Sequence, residues 1–257
     1  MVTKIDSLTR FPVKGLSGQE LKSVQLQPGH GFPFDRQFGF ARPNSGFDPE
    51  DPKPLPKSKF YMLARDSKLS LLNTAFDEKT YVLSMRSPDE SRQFDIATDK
   101  GKREASLFLK SYLSLPDDET PQLFEASPHR FTDVSVVSAE MMNSVSLINL
   151  DSVTEFSKVI DHSVSANRFR GNILISGLPP FSELNVVEQH FAIGSARFKI
   201  VKRTKRCPAT EVDLDTGERD IKVRQLLQEN YGHMDLGVYA EVLEGGVIST
   251  GDVVEFL

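Results

Sequence analysis

The sequence predicts a β-rich α+β protein, a β-barrel with attached helices. Short segments that alternate apolar and polar residues outnumber segments of helical period, and Pro and Gly turn signals bound them. Regular helical crossovers do not separate these segments, which disfavours a doubly wound parallel sheet. With 257 residues, 39% hydrophobic and 26% charged, the chain can bury a sizeable core as one large domain or two small ones.

In "VTKIDSLTRFPV", Val2, Ile5 and Leu8 alternate with polar neighbours up to Pro12. "LKSVQLQPG" alternates Leu21, Val24 and Leu26 before a Pro-Gly turn. "RQFGFA" sets Phe38 and Phe40 on one face of a third strand. Residues 43–59 hold five prolines and many charges, which predicts a surface loop. "YVLSMRS" and "RQFDIAT" read as a hairpin around "PDES", and "REASLFLKSYLSL" has helical period.

The polar, Pro-rich stretch 116–130 predicts a seam that divides the chain into residues 1–125 and 126–257. Beyond it, "VSVV" is predicted as a strand. "SAEMMNSVSLI" is predicted as a helix, with Ser138 as N-cap and Glu140 in the first turn. "NILISG", "FKIVKR" and "VVEFL" supply further strands, and "IKVRQLLQENYG" is a helix stopped by Gly232.

Composition excludes several function classes. A net charge of −5 argues against a general nucleic-acid binder. Lys4, Asp6 and Arg10 interrupt the N-terminus, so it does not read as a signal peptide. No apolar run approaches the length of a membrane span, and a cytoplasmic location is the default expectation. One cysteine permits neither an intrachain disulfide nor a thiolate zinc cage. The histidines at 30, 129, 162, 190 and 233 show no metal-ligand spacing, and no GxGxxG, Walker, HExxH or GxSxG motif occurs.

Three segments remain as candidates. The single cysteine, Cys207, lies in "KRTKRCPATEVDLDTGERD" behind Lys202, Arg203, Lys205 and Arg206. A free cysteine is often a small buried hydrophobe. Neighbouring cations instead favour thiolate, and Pro208 presses Cys207 toward extended backbone at a strand end. That setting suits a nucleophile, a redox thiol or a soft-metal ligand. In "FPVKGLSG", Lys14 and Gly15 stand between an apolar strand and a turn, where the lysine is either solvated or a ligand-binding cation. In "SANRFRGN", extended backbone would place Arg168, Arg170 and Asn172 on one face, with Asn167 nearby. Arginine forks there suit phosphate or carboxylate, or surface ion pairs.

Taken in order, these segments resemble the MOSC family, whose two-part members include the mitochondrial amidoxime reducing component and its bacterial relatives. "RFPVKGLSGQELKSVQLQPGHGFPFDRQFGF" is similar to the family's N-terminal β-barrel region. "VVSAEMMNSV", "RFRGNILISG", "PFSE", "RCPATEVDLDTGERD", "LGVYAEVL" and "GGVISTGDVVEF" follow in the family's order. The resemblance covers nearly the whole chain and implies a MOSC-type β-barrel with attached helices plus an N-terminal β-barrel-like subdomain.

It further implies a molybdenum cofactor, with Cys207 as the thiolate on the metal. Lys14 and Arg36 would meet the cofactor's phosphate and pterin, Ser138 would bring a hydroxyl nearby, and Arg170 and Asn172 would make the Phe-Arg-x-Asn contacts. Thr210, Asp213 and Gly217 would shape the loop that presents Cys207. The chain departs from the pattern where Phe-Arg-Pro-Asn has become Phe-Arg-Gly-Asn, and Gly171 is expected to loosen that turn.

The activity implied is reduction of N-hydroxylated compounds such as amidoximes or hydroxylamines, small molecules taken to their parent amines. One cysteine cannot hold an iron–sulfur cluster, so electrons would come from a separate donor protein of ferredoxin, cytochrome b5 or flavin reductase type. Two alternatives keep the fold. One is a sulfur carrier with a persulfide on Cys207, and the other is a carrier of the finished cofactor.

Overall fold

The apolar residues that alternate along the chain meet inside one curled sheet. The computed structural model describes residues 2–257. The first half contributes β1 (Lys4–Arg10), β2 (Gln19–Leu21), β3 (Ser23–Leu26) and β4 (Phe38–Ala41). There follow β5 (Asn73–Asp77), β6 (Val82–Arg86), β7 (Ser91–Asp95), helix α1 (Asp99–Tyr112) and β8 (Gln122–Glu125). The second half contributes α2 (Ala139–Met142), β9 (Val145–Asn149), α3 (Leu150–Val159), β10 (Ile173–Ser176) and β11 (His190–Ile193). Last come β12 (Ala196–Lys205), α4 (Val223–Tyr231), β13 (Asp235–Glu244), β14 (Gly246–Ser249) and β15 (Val254–Phe256).

Eight strands form the main sheet in the order β15-β11-β12-β13-β9-β10-β1-β2. Its neighbours are antiparallel except β9 and β10, which run parallel. The sheet curls until the start of β1 meets β15, where Ile5 N–H donates to Asp252 O at 2.9 Å and Val254 N–H to Thr3 O at 2.9 Å. Inside lie Leu8, Leu147, Ile173, Phe191, Phe198, Ile200 and Val238, all buried. β12 alternates buried and less buried positions, as a strand with one face on a core must. β9 is buried at every position, because the barrel core covers one face and α3 packs on the other.

β1 and β2 precede residue 125 yet belong to this sheet, so it draws on both sides of the expected division. β3 likewise crosses the division by pairing with β14, and the rest of the first half is built separately. β4 pairs with β8, β5-β6-β7 form a meander, and α1 packs Ala105, Phe108 and Leu109 onto them. Thr98 caps α1 by accepting from Gly101 N–H at 3.0 Å. α4 ends as predicted at Gly232, whose φ of 76° is the left-handed value a helix stop needs.

Two expectations fail for identifiable reasons. "VSVV" is not a strand, because Ser135 and Val137 N–H close turns onto Thr132 and Val134 carbonyls and leave Val136 and Val137 exposed. The helix expected over 138–148 stops at Met142. Ser138 does cap it, accepting from Met141 N–H at 3.1 Å, but residues 145–149 pair with β10 and β13 as a central strand. Sheet pairing there overrides the helical period. α3 has a start signal that the reading passed over, Asn149 Oδ1 accepting from Asp151 N–H at 3.1 Å. β8 likewise lies inside the stretch read as a seam.

The rings of Phe191 and Phe198 stack at 4.6 Å with a 3° interplanar angle, both fully buried. Phe198→Ala is expected to destabilise the protein by about 4 kcal/mol. The measurement is denaturant unfolding, with a lower midpoint at unchanged slope.

Candidate functional site

Cys207 stands where β12 leaves the sheet. Its φ of −120° and ψ of 170° are extended, as Pro208 demands, and Pro208–Glu211 then makes one 3-10 turn. Thr210 ties this turn down, its N–H and hydroxyl both donating to Cys207 O at 3.1 and 2.9 Å. Cys207 itself is half-buried.

Arg168, which is 3% exposed, clamps the loop beyond. It donates to Asp220 Oδ1 at 2.7 Å and Asp213 Oδ2 at 2.8 Å. Asp213 Oδ1 accepts from Asp215 and Thr216 N–H at 2.9 and 2.8 Å, folding "DLDTG" into a side-chain-capped turn. Those backbone donors chiefly hold the Asp213 carboxyl below its usual range.

The opposite wall comes from the first half. Phe11 follows β1, and Arg36 and Arg170 stack on its ring at 4.4 and 4.2 Å. Both arginines take left-handed backbone, at φ 48° and 52°, a strained choice for a side-chain-bearing residue. Arg36 donates to Arg170 O at 3.0 Å, and Arg170 to Leu16 O at 2.7 Å. The left-handed turn corrects the expectation that Arg168 and Arg170 share an extended face. Residues 166–169 form a 3-10 turn, and the two guanidinium groups part toward different partners.

Between the walls lies a cavity of about 320 Å³. Lys14, Gly15, Arg36, Arg168, Arg170, Asn172, Arg206, Cys207 and Thr210 all line it. Ser138, Asn167 and Asp213 do not, and Ser144 and Ser146 provide the nearby hydroxyls instead. Sequence reasoning also missed Lys57, Asp133 and Tyr239, which reach the cavity from a Pro-rich loop, a turn and β13.

Nine basic side chains and two carboxylates line this space, in a chain of net charge −5. Burial pushes Arg170 down to about 9 and Arg206 to about 10, so both stay charged at neutral pH. Arg206 donates to Phe169 O at 3.1 Å and to Leu236 O. Burial raises the Tyr239 phenol, which keeps its proton. Buried Lys14 donates to Phe131 O at 2.9 Å and to Asp133, whose other oxygen accepts from Lys57 at 3.0 Å. The Asp133 side chain is 41% exposed, and what desolvation it does suffer favours the neutral form, yet Lys14 and Lys57 outweigh it and hold the carboxyl far below its usual range. Burial likewise opposes charge on Lys57, but Asp133 and Cys207 raise its ammonium.

Among the described residues, no group of three or more His, Cys, Asp or Glu side chains could hold a metal ion. Among the same residues no helix is long and apolar enough to cross a membrane.

The family model described as "MOSC domain" matches residues 134–255, and "MOSC N-terminal beta barrel domain" matches residues 2–127. A protein named molybdenum cofactor sulfurase from Caenorhabditis briggsae is 33% identical over 117 residues, 43% of this chain and 16% of that protein. Its namesake from Caenorhabditis elegans is 36% identical over 97 residues, 36% of this chain and 13% of that protein. The matched stretches thus span less than a fifth of these relatives. The YUAD protein from Bacillus subtilis aligns over 100% of this chain and 96% of its own, at 12% identity and a TM-score of 0.46.

Two outcomes follow from the ion pairs. Arg168→Met strands two carboxylates that are 26% and 29% exposed, so a loss of about 2 kcal/mol in denaturant unfolding is expected. The folded-state value of Asp133 lies below its ordinary 3.8, so its contribution is present above that pH and lost as pH falls below it. A stability–pH series should show Asp133→Asn flattening the acid limb between about pH 4 and 2.

Proposed function

The chain belongs to the MOSC family, and from that premise we propose that the Cys207 cavity holds a molybdenum cofactor with which the protein reduces N-hydroxylated compounds. The observation that carries this reading is the donor set. A lone thiol at a strand end faces a space in which nine basic side chains meet two carboxylates. Of those carboxylates, Asp35 is already engaged by Phe11 N–H at 2.7 Å and Arg36 at 2.5 Å. Such a cavity fits an anionic, phosphate-bearing cofactor and a soft metal.

Cys207 would supply the soft protein ligand, with Lys57 lining the same cavity. Lys14, Arg36 and Arg170 would hold the cofactor's phosphate and pterin, with Asn172 Oδ1 accepting from Arg36 at 3.5 Å and Leu16 O from Arg170 at 2.7 Å. When bound, the cofactor supplies two-electron removal of oxygen from nitrogen. Tyr239 retains a phenolic proton that it can donate into the cavity. Electrons would arrive from a separate donor protein. The division into residues 1–125 and 126–257 fits this scheme, with Lys14 and Arg36 from one part facing Cys207 from the other.

A second reading is favoured by the names of the relatives. In it, Cys207 carries sulfur as a persulfide, or the chain carries the finished cofactor, in support of another enzyme.

Purified protein from a cofactor-competent host, compared with Cys207→Ala, separates these readings. The first expects stoichiometric molybdenum that falls at least tenfold in the variant. It also expects reduction of an amidoxime with an artificial electron donor and none from NAD(P)H alone. Metal-free protein with labile sulfane sulfur would establish the sulfur carrier, and bound metal without turnover the cofactor carrier.

A further inference from the structure

We propose that Asp133 is a tethered competitor for the ligand's anion: it occupies the Lys14–Lys57 pair in the empty cavity and must yield to a phosphate for a ligand to seat. Lys14 is only 6% exposed, and a buried ammonium needs a counter-charge. Besides the neutral Phe131 carbonyl, its recorded partner is Asp133. The same carboxylate reaches Lys57 at 3.0 Å with its second oxygen, so one anion bridges two cations that line the cavity.

The other lining carboxylate cannot play this part. Asp35 is 5% exposed and is spent on Phe11 N–H and Arg36. Asp133 differs in being accessible, its side chain 41% exposed on a turn that joins the two halves. Residues 132–137 carry turn hydrogen bonds of their own and no strand pairing, so the carboxylate can swing out without breaking the sheet.

This arrangement sets a threshold on ligand charge. A phosphate group carries up to two charges and three acceptor oxygens, and can replace one carboxylate on both lysines at once. A monocarboxylate offers only what Asp133 already provides at higher effective concentration. The contact therefore makes the cavity selective for phosphate-bearing ligands and keeps Lys14 neutralised while none is present. The inference rests on the cofactor reading only for the identity of the ligand.

The test titrates cofactor-free full-length protein with inorganic pyrophosphate, and with acetate as the monocarboxylate control, by calorimetry. Wild type is expected to bind pyrophosphate and not acetate. Asp133→Asn is expected to bind pyrophosphate about tenfold more tightly and to gain acetate binding, while Asp133→Glu restores the wild-type pattern. Unchanged or weaker pyrophosphate binding by Asp133→Asn overturns the proposal. If that variant folds poorly, its refolding yield reads the same competition: rescue by pyrophosphate supports the proposal, and no rescue overturns it. Retention of metal by Cys207→Ala would sink the cofactor reading while leaving this result standing.

Discussion

The amide of Asn172 is the joint on which the cavity depends. It is 2% exposed and touches three strands. Its side-chain N–H donates to Thr9 O in β1 at 3.1 Å, and its Oδ1 accepts from Ser146 N–H in β9 at 3.1 Å. Its own backbone continues into β10, with its carbonyl accepting from Thr9 N–H at 2.8 Å. Aspartate could not donate to Thr9, and leucine would leave Thr9 O and Ser146 N–H short of this partner. Because β1 is held here, Phe11 and Lys14 a few residues on are delivered opposite β12, where the chain turns out at Cys207. The wall that carries the cations and the wall that carries the thiol are thus related by one side chain.

Gathering cations in an acidic protein costs solvation energy, and the structure offsets it locally. Arg168 meets two carboxylates, Arg36 meets Asp35 and the Phe11 face, and Arg206 is wired to backbone carbonyls. What differs is how completely each is satisfied. Arg168 serves the loop and has little left to offer a ligand. Arg170 has carbonyl and aromatic partners, but no carboxylate bonds it directly. Its lowered proton affinity follows from burial beside Arg36, and an incoming anion would relieve both effects.

Legibility followed sequence separation. Cys207, Thr210 and the "DLDTG" turn are read locally, because a proline, a strand and an Asx-type turn dictate their geometry within a dozen residues. Lys14, Arg36 and Asn172 were found through motif order, which carries information that single segments lack. Lys57 was hidden because a Pro-rich charged loop has the composition of free surface, whatever it later covers. Asp133 was hidden because "VSVV" beside it looked like a strand, and turns have no period to betray them. The hydroxyls of Ser144 and Ser146 were hidden for a related reason. The helical period was extended through residues that β10 and β13 recruit into the sheet, and burial of Val145 and Leu147 decides that contest.

The glycine in "RFRGN" turns out to stiffen the site. A Cβ at Gly171 would come within 2.4 Å of Ile148 Cγ1, a mid-chain atom of a fully buried residue on β9. Gly171, two residues before β10, is therefore packed hard against β9, and little slack exists there. The residue before it is the left-handed Arg170. Proline at 171, as in the resembled Phe-Arg-Pro-Asn, steers its predecessor toward extended backbone. That geometry would withdraw Arg170 from Leu16 and Phe11 and its carbonyl from Arg36. Glycine, the left-handed arginine and the close approach to Ile148 thus form one coupled solution for aiming a guanidinium into the cavity.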